Sequence, residues 1–241
     1  MKELDEKKQM EMNLADTIID RPHGFSVGGR HFYLYPVPLG KMYLLSRLID
    51  ELELNTETIK VNPYIETLRI ATQCKELCSR ILTYHTIHTK AKIFDNEFVE
   101  KRTQWFVDNL STEDLATLMV IVLTSDKTEI FMKFLQIDKE QERMKRVMDV
   151  KDSKCTFNFG GLSVYGTLID AACERYHWTF DYVMWEISYT NLKLMLADAQ
   201  KQVYLSEEER KRVKGVSSDR NRIKASDKEM AWAAIRSQKW D

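Results

Sequence analysis

From Tyr64 to Phe159 the chain contains neither glycine nor proline. Those two residues are the strongest breakers of regular helix, so the whole stretch is predicted to be almost wholly helical. All four prolines (Pro22, Pro36, Pro38, Pro63) lie ahead of it. Phe25–Val27, Gly28-Gly29 and His31–Tyr35 read as a hairpin, because a two-residue primed turn needs positive φ angles that glycine adopts without a Cβ clash. Pro36 and Pro38 lack amide donors and stop the ladder, and Leu39 to Leu54 then carries Leu39, Met42, Leu45, Ile49 and Leu52 at helical spacing. The fold class that follows is mainly α: a helical bundle with a short N-terminal β-hairpin and a second small helical domain.

Residues 1–21 are polar without a sustained apolar face and are expected to form a flexible arm or a short frayed helix. Residues 22–150 hold the hairpin and the bundle. Asn55 to Pro63 reads as a loop with Thr56 or Asn62 as caps, and Tyr64 to His88 as one helix with its apolar positions three or four residues apart. Asp95 caps a helix ending near Asn109, and Ser111 with Asp114 opens LATLMVIVL, which is apolar all round and is expected to be the central, fully buried helix. Asp126 and Glu129 resemble a capping box for the next helix. The dense charge from Asp138 to Lys154 predicts a solvated helix leading to a boundary near residue 150. Residues 151–205 read as a small aromatic-rich domain, with a short strand at Cys155–Phe159 and three helices, two of them capped by Thr179 and Ser188. Residues 206–241 form a charged tail with ten Lys or Arg against seven Asp or Glu. In it, Ser226 and Glu229 box the start of a short terminal helix carrying Trp232 and Trp240.

The 241 residues carry a formal net charge of −1, which gives no whole-molecule attraction to nucleic acid or to an anionic membrane. No apolar run is long enough to span a bilayer, and the first residues are charged where a leader would be apolar, so the cytoplasm is the expected location. The four cysteines are then expected to be reduced thiols. Cys74, Cys78, His85 and His88 have the composition of a zinc set. On one continuous helix, however, Cys74 and His88 would lie about 21 Å apart, too far to share an ion. They are expected to be packed core residues, with no metal. The two Gly-Gly pairs sit in no phosphate-loop pattern, and H-E-x-x-H and C-x-x-C are absent. The residues therefore point to no catalytic group and no cofactor, and to a chain that is not an enzyme. Basic residues of the tail (Arg210, Lys211, Arg212, Lys214, Arg220, Arg222, Lys224) suit phosphate contacts, but the interleaved acids favour a solvated or protein-binding tail over nucleic acid.

The glycine-turn hairpin followed by FYLYPVPLGKMYLLSRLIDEL is similar to the start of phage tail assembly chaperones, where a short hairpin enters a helical bundle through a Pro-Leu junction. The stretch GGLSVYGTLIDAACERYHWTFDYVMWEISYTNLKLMLADAQ also resembles segments of tail chaperone-like proteins. The resemblance implies a non-enzymatic chaperone, in the cytoplasm of a bacterial host, that binds and solubilises the tape measure protein and helps recruit the tail tube protein. Many members gain a second domain by ribosomal frameshifting, whereas this chain is expected to hold both parts in one frame. The expected contact residues are Arg30, Tyr33, Tyr35, Lys41 and Tyr43 on exposed positions of the hairpin and first helix, the aromatics Trp178, Tyr182, Trp185 and Tyr189, and Trp232 and Trp240 in the tail. The alternatives are a virion structural or head-tail connector protein, and a nucleic-acid-binding regulator that uses the basic tail.

Overall fold

The computed structural model describes residues 2–151, 160–200 and 202–213. The fold is mainly α with one two-stranded hairpin. Helix α1 (Lys2–Ile18) precedes strands β1 (His23–Val27) and β2 (Arg30–Leu34). Gly28 and Gly29 have φ of +52° and +73°, as a primed turn requires, and set the antiparallel register Val27↔Arg30 and Phe25↔Phe32. One face of the ribbon carries Phe25, Val27, Phe32 and Leu34 inward, and Phe32 meets Phe106 at 4.9 Å between ring centres.

Helices α2 (Leu39–Asp50), α3 (Thr56–Val61), α4 (Pro63–Gln73), α5 (Lys75–His85), α6 (Lys90–Ile93), α7 (Asn96–Asn109) and α8 (Thr112–Leu123) follow. Then come α9 (Thr128–Phe134), α10 (Ile137–Val150), a π turn at Tyr165–Ile169 running into α11 (Asp170–Tyr176), α12 (Phe180–Trp185), α13 (Tyr189–Ala197) and α14 (Glu207–Arg212). Local capping explains most starts. Asp95 accepts from the Phe98 amide, Ser111 from Asp114, Thr179 from Tyr182 and Ser188 from Asn191, each satisfying an orphan donor of the first turn.

Several elements depart from the sequence reading. In place of the N-terminal arm or short frayed helix there is a 17-residue helix, α1, whose Met10 and Leu14 pack against Phe131, Ile137 and Leu194. The expected loop at 55–63 contains α3, because Asn55 Oδ1 accepts from both Glu57 and Thr58, while Asn62 caps α4. Tyr64 to His88 is not one helix: the backbone turns at Cys74 (φ −128°, ψ 45°) and separates α4 from α5. Helix α2 stops at Asp50, with Glu53 left-handed three residues later. Asp126 accepts from the amide and hydroxyl of Thr128 but does not cap α9, whose N-cap is Lys127. The strand expected at Cys155–Phe159 lies outside the described residues, as do Ser226, Glu229 and the terminal helix.

The main core gathers α4, α5, α7 and α8, with Ile70, Cys78, Ile81, Phe106, Leu115 and Met119 fully buried. Helix α8 is central, but its Val120, Ile121 and Leu123 are only half-buried, so it is not enclosed on every side. The end of α5 and the two residues that follow it are held from three directions. The His85 carbonyl accepts from the Tyr35 amide at 3.0 Å, the Thr86 carbonyl from Arg102 at 3.2 Å, and the Ile87 carbonyl from Lys41 Nζ at 2.6 Å.

A second cluster joins the start of α2 to the later helices, around Leu39, Ile169, Ala172, Val183, Ile187 and Leu192. The described parts of residues 1–139 and 158–201 form one compact unit, so the aromatic-rich helices share it with the bundle although the sequence suggests a boundary near residue 150. The physical reason is close packing of α2 on α12. The described parts of 140–157 and 202–241 form a second unit, where Ser206 and Glu209 make a reciprocal capping box for α14.

A Cβ added at Gly40 would lie 2.9 Å from both the Met184 carbonyl oxygen and the Trp185 indole. Gly40→Ala is expected to lower stability by about 1–3 kcal/mol, an overpacking cost that exceeds the small gain in helix propensity at a first turn. Urea denaturation followed by far-UV circular dichroism checks it.

Candidate partner-binding groove

Helix α1 carries Met10, Leu14 and Ile18 four residues apart, which places them on one stripe. The stripe needs a partner to hold it, and α13 supplies one. Asn191, in the first turn of α13, donates from Nδ2 to the Thr17 carbonyl at 2.9 Å, the Ile18 carbonyl at 3.4 Å and Asp20 Oδ1 at 3.0 Å. One amide group thus serves carbonyls that the end of α1 leaves without intrahelical donors.

Between these helices and the α11–α12 turn runs an open groove of about 590 Å³. Leu14, Ile18, Leu135 and Ile137 form its aliphatic side, and Leu194 and Met195 of α13 its floor. Its aromatic side follows from a chain reversal. His177, left-handed at φ +56°, ends α11 and folds Tyr176 and Trp178 into a stack at 4.6 Å, with Tyr182 5.0 Å beyond. The Tyr176 hydroxyl donates to the Met195 carbonyl at 3.0 Å and ties this side to the floor. Ile18, Leu135, Tyr182 and Met195 remain 39% to 62% exposed, so apolar surface is continuous from the groove to solvent. Asp20, Arg175 and Asp198 stand at its polar margin.

The residues expected to make contacts are scattered over several surroundings. Trp178 and Tyr182 line the groove. Arg30 is exposed with its guanidinium 5.1 Å from the Trp105 ring centre, and Tyr33 is exposed between His31 and Tyr35 on the outer face of the hairpin. Tyr35 is half-buried and stacks on His88 at 4.8 Å, while Tyr43 is exposed on α2. Trp185 is half-buried against Gly40, and Phe94 meets it edge-on at 5.5 Å. Tyr189 packs in the second cluster beneath Lys193. Trp232 and Trp240 lie outside the described residues. The sequence reading missed Leu14, Ile18, Asp20, Leu135, Asn191 and Asp198; of these, the four-residue spacing of Met10, Leu14 and Ile18 was the one visible signal.

Lys41 is corrected outright. Although expected at an exposed position, it is 1% exposed, and burial lowers its pKa to about 8. His85, buried beside it, is lowered to about 3 by burial and by the Lys41 charge. Cys78 is likewise buried, and desolvation pushes its thiol up to about 12, as suits a structural rather than a reactive thiol. Among the described residues, no group of three or more His, Cys, Asp or Glu is placed to hold a metal ion.

Compared with known proteins, the chain matches no family model, no curated protein and no solved structure. Among the described residues, no helix is long and apolar enough to cross a membrane.

Two outcomes follow from this geometry. Asn191→Ala removes the amide that holds the end of α1, with an expected loss of about 1–3 kcal/mol and faster amide hydrogen exchange along α1. His85 stays neutral in the folded chain below its ordinary pKa while the unfolded chain takes up the proton. Stability is therefore expected to fall from about pH 6.5 towards pH 3, by at most about 1.4 kcal/mol per pH unit from this group. His85→Gln should flatten that limb in a series of denaturant titrations.

Proposed function

We propose that this chain is a non-enzymatic phage tail assembly chaperone that binds and solubilises the tape measure protein and helps recruit tail tube subunits. The observation that carries the reading is the open groove, where Ile18, Leu135, Tyr182 and Met195 stay exposed beside the buried Ile137, Ile187 and Leu194. Isolated large apolar residues on a surface are commonplace, but a continuous patch that includes aromatic rings and ends in polar groups is characteristic of a binding surface. A long helical protein awaiting assembly exposes apolar stripes of its own, and covering them prevents self-association.

The packing lends a second support. The two stretches that resemble tail chaperones are far apart in sequence, yet they meet in the fold. Gly40 lies against Trp185, Pro38 bridges Ser188, and the Val37 carbonyl accepts from the Tyr189 amide at 2.9 Å. The Pro-Leu junction of the first stretch is thereby the seat of the second.

Co-expression with a candidate tape measure protein is expected to keep that protein soluble and to co-purify the pair. Removal of residues after Leu205, run in parallel, reports whether the tail takes part. If the tape measure protein stays insoluble and unbound while this chain is recovered in mature particles, a virion structural role replaces the chaperone.

A further inference from the structure

We infer that the groove receives one amphipathic α-helix of a partner, bearing two basic residues seven positions apart with apolar residues between them. The inference rests on the reading of the groove as the partner-binding surface and narrows what that partner presents.

The groove's floor is α13, nine residues and about 13 Å long, enough for roughly two turns of a helix laid along it. Each of its two ends carries a carboxylate. At one end Asp20, just beyond the C-terminus of α1, accepts from Asn191 through Oδ1 and keeps acceptor capacity to spare. At the other end Asp198 is the C-cap of α13. Each carboxylate thus adds to the partial negative charge of a helix C-terminus. No Lys, Arg or His among the described residues forms an ion pair with either. The nearby Arg175 is engaged instead, donating to the Gln200 carbonyl at 3.3 Å, with its guanidinium 5.8 Å from the Tyr176 ring centre.

The spacing of the two ends is what selects the partner. Asn191, which holds Asp20, and Asp198 are seven residues apart on and at the end of one helix, about 10 Å along its axis. On a partner helix, positions i and i+7 are also about 10 Å apart and differ by only about 20° in direction. Basic residues there reach both carboxylates while apolar residues at i+3 and i+4 descend on Leu194, Met195 and Trp178. An acidic or uncharged stripe would leave both carboxylates facing an apolar or like-charged neighbour.

The test uses a fluorescent alanine-rich helical peptide with lysine at i and i+7 and leucine at i+3 and i+4, titrated with the full chain and read by anisotropy. Saturable binding is expected. Asp20→Asn with Asp198→Asn, which keeps the side-chain acceptor and suits the left-handed backbone at residue 20, should weaken it about three- to tenfold at low salt and little at high salt. Met195→Glu, at a surface position, should abolish it with the thermal melt unchanged. Equal affinity for a peptide with glutamate in place of both lysines, or no effect of Met195→Glu, overturns the inference. So does a concentration-dependent dimer lost in Met195→Glu, which would put a second copy in the groove. The chaperone reading is judged separately. If the peptide behaves as expected but the tape measure protein is not solubilised, only the chaperone reading fails. If Met195→Glu solubilises it as well as the unaltered chain does, only the groove inference fails.

Discussion

The end of α5 is the constraint on which the surrounding structure depends. A helix leaves its last carbonyls without intrahelical donors, and in a buried location each must find a partner. Here the donors come from three separate elements: the Tyr35 amide after β2, the Lys41 ammonium in α2 and the Arg102 guanidinium in α7. Two of the three are cations placed at the negative end of a helix, a favourable arrangement that offsets part of the cost of burying Lys41. Arg102 is also stacked 4.4 Å from the Phe98 ring centre, so its position is fixed by packing as well as charge.

From that point the geometry passes outward. Lys41 fixes the first turn of α2, and the same turn presents Gly40 to α12, where only a hydrogen in place of a side chain allows Met184 and Trp185 to approach. The extended segment before it bridges Ser188 and binds Tyr189, setting the start of α13. Helix α13 then supplies the floor of the groove and, through Asn191, the anchor of α1. A surface open to solvent is therefore shaped by a buried amine with no part in its lining.

The signals legible in the sequence were local ones. Asp95, Ser111, Thr179 and Ser188 act on amides three residues away, and Gly28-Gly29 acts within its own turn, so each could be read without knowledge of the fold. The break at Cys74 could not, because it contains neither glycine nor proline and its backbone is set by how α4 and α5 each meet α8. Lys41 looked like a surface residue because its acceptor is 46 positions away. The groove was half-visible: Trp178 and Tyr182 stood out as aromatics, whereas the aliphatic side joins α1, where apolar residues are sparse, to the junction of α9 and α10, more than a hundred positions away.

The bonds from Asn191 span 171 to 174 positions of sequence. At about 5–20 residues per second, a ribosome makes α1 roughly 10–35 s before it makes the helix that will hold it. During that interval the end of α1 lacks its anchor, although Phe131 and Ile137 become available to Met10 and Leu14 earlier, and the floor of the groove is made last. The groove is thus tied to completion of this unit: a half-made copy lacks its aromatic side and its floor.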